Sequence, residues 1–166
     1  MNPHMRSGAR LKSSRLALVA SALAVVLALA TPATAHDAIL TIDGQRYHFR
    51  TLGTSGAAVV FEAGLGNDSS TWKLVAGPVA QFARVVLYDR PGLGQSLPML
   101  SSSPVTAEQV ATNLHKLLTA ADIRPPWVLV GHSLGGLYVQ MLARKYPREA
   151  AASSCSTHQA RTRRAS

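Results

Sequence analysis

The chain has 166 residues, a single-domain length, with 47% hydrophobic residues and a formal charge of +9. The charge sits at the ends: Arg6, Arg10, Lys12 and Arg15 precede the first apolar run, and Arg161, Arg163 and Arg164 close the chain. Between His36 and Pro147 nine Lys/Arg face seven Asp/Glu, so the body offers no basic face for phosphates and a nucleic-acid partner is excluded.

Residues 1–35 have the pattern of an export signal. A basic segment ending at Arg15 precedes "LALVASALAVVLALA" (16–30), which is apolar but short for a bilayer-spanning helix. "TPATA" then offers Ala33 and Ala35 as the small residues that signal peptidase accepts, so cleavage before His36 is expected. The alternative is an uncleaved membrane anchor over residues 16–30. The first reading predicts an exported protein, secreted or periplasmic, that meets the membrane only through its signal. Cys155 is the only cysteine, which rules out an intrachain disulfide.

The next segments alternate strand-like and helix-like patterns. "AILTIDGQRYHF" (38–49) reads as two short strands joined at Asp43-Gly44, a dipeptide suited to a tight hairpin turn. "AAVVFEAG" (57–64) is a buried strand that ends in glycine. "SSTWKLVAGPVAQFA" (69–83) predicts a helix capped by Asp68 or Ser69 and interrupted at Pro78. "RVVLYDR" (84–90) is another strand, followed by the glycine turn "PGLGQS". "TAEQVATNLHKLLTAA" (106–121) puts Val110, Leu114, Leu117 and Leu118 on one face, with Thr106 as cap. "WVLV" (127–130) is a strand, and residues 134–146 form a helix stopped by Pro147. Apolar strands alternating with helices predict an α/β fold, a mostly parallel sheet with helices on both faces. Such sheets bind ligands at the C-terminal ends of their strands, where Gly64–Asp68, Asp89–Ser96 and Gly131–Ser133 all fall.

"VLVGHSLGGLYVQ" (128–140) carries the chemistry. A serine between strand and helix is lifted over the sheet edge only by a very sharp turn, which crowds the residues two before and two after it. Here these are Gly131 and Gly135, which lack a Cβ. Ser133 then stands at a helix N-terminus, where free N–H groups favour negative charge, and the Leu134 N–H is aimed at a forming oxyanion. The bland alternative is an ordinary glycine turn, but the strand-then-helix context favours a nucleophile. The sequence "PGLGQS" has too few glycines at the required spacing for a dinucleotide fold. No cofactor and no metal site are expected.

Together with "YDRPGLGQS" and "VVFEAGLGNDSSTW", this stretch resembles the α/β-hydrolase fold in its serine hydrolase form, over about residues 38–148. The resemblance implies a second oxyanion donor in the loop after the third strand, the backbone N–H of Leu65 when aligned on "EAGLG". Many members carry His-Gly there; Ala63-Gly64 takes its place. A serine nucleophile resembles esterases, lipases, thioesterases and peptidases, and argues against dehalogenases and epoxide hydrolases, which use aspartate. The implied substrate is a small acyl compound: an ester, thioester or amide.

The resemblance also implies a triad completed by an acid and then a histidine on later loops. After Ser133 the chain offers only Glu149 and His158. The family treats the first as a solvated helix end, so the triad acid and histidine are unassigned. His132 is expected to pack away from the serine hydroxyl, His115 to lie on a helix surface, and His36 and His48 to be distant. "AAASSCSTHQARTRRAS" (150–166) has no periodicity and no large apolar residue, as an out-of-frame reading would produce. The expected division is a signal over 1–35, a partial hydrolase domain with about five strands over 36–149, and an irregular tail over 150–166 that leaves strand 127–130 with an open edge. Two functions follow: a serine acyl hydrolase, truncated before its acid and histidine, or an inactive relative that at most binds a small molecule.

Overall fold

The computed structural model describes residues 35–99 and 104–156. The expected signal, apart from its last residue, and His158 lie outside the described residues. Strands β1 (Ala35–Ile42) and β2 (Gln45–Leu52) form the expected hairpin. Asp43 and Gly44 both take positive φ, 49° and 81°, as a two-residue hairpin turn requires. Strands β3 (Ala58–Glu62), β4 (Arg84–Tyr88) and β5 (Trp127–His132) are parallel, β2 runs antiparallel to β4, and with a last strand β6 (Ala150–Ser156) the sheet order is β1-β2-β4-β3-β5-β6. The fold is α/β, with a mostly parallel sheet and helices on both faces.

Successive strand residues point to opposite faces, and each face has its own core. Val60, Val86, Tyr88 and Leu129 pack with Leu114, Leu117, Leu118, Val139 and Leu142 on one side. These come from α2 (Ala107–Ala120) and α3 (Leu134–Lys145). Phe61, Val85 and Leu87 face the other side, where Trp72, Ala76 and Ala80 cover them. Thr106 caps α2 as expected, its side chain accepting the Gln109 N–H at 3.1 Å.

Two expectations are corrected. The helix predicted over 69–83 is a 3-10 turn at Ser69–Trp72 followed by a four-residue helix α1, Ala76–Val79. Gly77 and Pro78 are poor helix formers, and proline is tolerated only where its missing N–H is not needed, in a first turn. The tail expected to be irregular forms a sixth strand, β6 (Ala150–Ser156), parallel to β5. Its register shifts once, between Trp127 and Val128, and then runs from Val128↔Ala152 to His132↔Ser156. The strand is held by main-chain pairing to β5, which its sequence does not advertise, and small residues let it pass close behind α3. A Cβ on Gly136 would strike the Cys155 side chain. Among the described residues the sheet therefore has six strands, and β5 is an interior strand.

Candidate active site

Ser133 lies between β5 and α3 with φ 53° and ψ −121°, a conformation that costs a non-glycine residue of order 1–3 kcal/mol. Its side chain is exposed and caps no helical N–H. The flanking glycines make the turn possible. A Cβ on Gly131 would sit 2.5 Å from the Gly135 carbonyl oxygen, and one on Gly135 would strike the backbone of Glu62 and lie 2.6 Å from the Ala63 oxygen. Leu134 opens α3, so its N–H has no acceptor within the helix.

The loop after β3 comes alongside. Glu62 pairs in register with Gly131, and Ala63 and Gly64 are buried, whereas the Leu65 side chain is exposed. His132 packs against Gly64: a Cβ there would lie 3.0 Å from its Nδ1, which is buried and has no hydrogen-bond partner among the described residues. Beneath the loop, the fully buried Glu62 carboxylate accepts from Tyr88 Oη and from Arg90 Nη1. Burial pushes the Glu62 carboxyl up to about 7, against the lowering pull of the Arg90 charge and the Tyr88 and Arg90 hydrogen bonds. The same guanidinium donates to the carbonyls of Ala63 (2.6 Å), Gly64 and Asn67 (3.4 Å), and lies 5.4 Å from the ring centre of Tyr138 on α3. Glu62 and Arg90 escaped the sequence reading, because nothing along the chain relates two charges on separate strands.

The acid–histidine pairs among the described residues stand away from Ser133. Asp89 accepts from the N–H groups of Ser69 (2.8 Å) and Gln95 (3.0 Å), and its Oδ2 lies 2.8 Å from His48 Nδ1. Burial raises this carboxyl, but the Gln95, Ser69 and His48 hydrogen bonds together more than reverse that, so its pKa is lowered. His48 Nε2 meets Asp37 at 2.7 Å. His48 sits on β2, three strands from β5, or roughly 14 Å at ordinary strand spacing. The second pair joins His115 Nε2 to Glu149 at 3.1 Å, and His115 stacks on Tyr146 with ring centres 3.7 Å apart. His115 is therefore half-buried rather than on an open surface, and Glu149 is a hydrogen-bond partner of its ring rather than a freely solvated helix end. The Glu149 carbonyl accepts the Trp127 N–H at 2.7 Å, at the start of β5. Ser133 follows the opposite end of that strand, roughly 16 Å away by strand rise. Among the described residues no acid–histidine pair reaches Ser133, and no group of three or more His, Cys, Asp or Glu could hold a metal.

The sequence profile of the alpha/beta hydrolase family matches residues 59–164, which take in β3, the Arg90 loop and the Ser133 turn. The chain is a member of the alpha/beta hydrolase family. The chain is 40% identical over 106 residues to the uncharacterized protein YqjL of Bacillus subtilis, covering 63% of the chain and 41% of that protein. It is 37% identical over 89 residues to the putative carbamate hydrolase RutD of Escherichia coli O9:H4, covering 54% of the chain and 33% of RutD. Among solved structures, Cfl2 of Burkholderia cenocepacia superposes with a TM-score of 0.67 at 28% identity, over 73% of the chain and 40% of Cfl2. The chain thus spans about two fifths of YqjL and Cfl2, and a third of RutD.

Proposed function

We propose that the protein is an exported serine acyl hydrolase acting on a small ester, thioester or amide. The observation that carries this reading is the exposed Ser133 hydroxyl, held in a strained turn at the N-terminus of α3 beside the Ala63–Asn67 loop. In the proposed reaction Ser133 Oγ bonds to the acyl carbon, and the carbonyl oxygen becomes an oxyanion facing the Leu134 and Leu65 N–H groups. The leaving alcohol, thiol or amine departs with the serine proton, and water then releases the acid and regenerates the hydroxyl. No metal or cofactor takes part in this scheme.

A second reading is an inactive relative that binds a small molecule at the turn. It is favoured by the two acid–histidine pairs being engaged elsewhere. Without a base, oxyanion stabilisation and binding alone leave on the order of 10³–10⁴-fold acceleration over water. Hydrolysis of p-nitrophenyl acetate by the full chain and by Ser133→Ala separates the two readings. The hydrolase reading expects at least a tenfold loss in the variant and a fluorophosphonate adduct on Ser133 in the wild type. Equal rates and no adduct would leave the binding reading.

A further inference from the structure

The guanidinium of Arg90 is committed to one loop. It takes the carbonyls of Ala63, Gly64 and Asn67, and its remaining strong contact is Glu62, the residue immediately before that loop. Arginine suits this task because its donors form a planar fork that reaches several acceptors at once, whereas a lysine ammonium is a single point. The Gly64 carbonyl also receives the Asn67 N–H at 3.2 Å, which closes the loop on itself.

The orientation of the donors follows from peptide geometry. The Gly64 carbonyl and the Leu65 N–H belong to one planar trans unit and point in opposite directions. A carbonyl drawn toward Arg90 therefore turns the Leu65 N–H away from Arg90. The Ala63 carbonyl and the Gly64 N–H are coupled in the same way.

We propose that Arg90 is the positioning residue for the loop's oxyanion donor, fixing the direction of the Leu65 N–H by holding the carbonyl end of its peptide unit. Glu62 supports it from below, holding the guanidinium against the β3 end of the loop. Tyr138 gives the guanidinium an aromatic face from α3, the helix that Ser133 opens, so nucleophile and loop share one support. The inference adds a residue to the proposed reaction and rests on that reading for its catalytic meaning. The clamp itself does not.

Amide hydrogen exchange and fluorophosphonate labelling of the full chain test the two parts separately. Arg90→Lys is expected to lower protection of residues 63–67 at least tenfold while β3 and β5 keep theirs. The labelling rate constant at saturating probe is expected to fall at least tenfold, with half-saturation changed less than threefold. Should Arg90→Lys fail to fold, the double variant Glu62→Gln/Arg90→Met removes the buried charge pair together and is expected to show the same local loss. Unchanged protection at 63–67, or an equal loss across the strands, would overturn the clamp. A normal labelling rate beside a loosened loop would overturn its catalytic role. If the wild type does not label although the loop loosens as expected, the hydrolase reading fails and the clamp stands.

Discussion

Glu62 is a carboxyl with no exposed surface, one strand away from an exposed serine. Its folded-state pKa is raised to about 7 from 4.5, chiefly by burial, with Tyr88 and Arg90 as the groups that face it. Between those two values the folded chain holds a proton that the unfolded chain releases. This group's contribution is therefore full below pH 4.5, declines as pH rises through the window, and is level above 7. Glu62→Gln has nothing to titrate. The stability difference between wild type and variant is expected to shift against the wild type by about 3 kcal/mol at most between pH 4.5 and 7. Urea midpoints at a series of pH values measure it, and parallel curves for the two proteins would count against a raised folded-state pKa at Glu62. At this scale the sequence disclosed the residues whose role depends on neighbours in the chain, such as Ser133 between its two glycines. It concealed Arg90 and Glu62, which meet only because β3 and β4 lie side by side in the sheet.

Elements were legible where side chains alone specify them. In α2 a capping threonine precedes an apolar face at helical spacing, and the structure begins and ends the helix within a residue of expectation. Thr106→Ala should cost about 1 kcal/mol by removing the acceptor for the Gln109 N–H, while Thr106→Ser should cost little. Chemical denaturation distinguishes these, and equal losses for both would mean that the hydroxyl is not the relevant group. The 69–83 segment was misread because its apolar residues suggested one helix, whereas Gly77 and Pro78 allow only short turns. Strand β6 was misread for the opposite reason. Alanine and serine carry little strand preference, and what places them is the row of backbone groups on β5.

At the scale of the molecule, the two faces of the sheet are covered unequally among the described residues. The α2–α3 face has two helices of 14 and 12 residues, while the opposite face has a 3-10 turn and a four-residue helix. Phe82 and Leu74 on that side are 70% and 80% exposed. The chain has two tryptophans, and one reports on each core. Trp127 is 1% exposed and donates its indole N–H to the Ile123 carbonyl at 3.0 Å. Trp72 packs tilted against Phe61, ring centres 4.7 Å apart, but its buried indole N–H has no partner among the described residues, a situation that costs about 1–3 kcal/mol. Trp127→Phe loses both volume and a hydrogen bond and should destabilise by on the order of 1–3 kcal/mol, whereas Trp72→Phe, which removes an unpaired donor, should cost less than about 1 kcal/mol. In the native state, acrylamide should quench the tryptophan left in Trp127→Phe severalfold more strongly than the one left in Trp72→Phe. Thin cover admits small solutes through local opening well before the sheet unfolds. Equal quenching would mean that the short turns over β3 and β4 seal their core as tightly as the two long helices seal theirs.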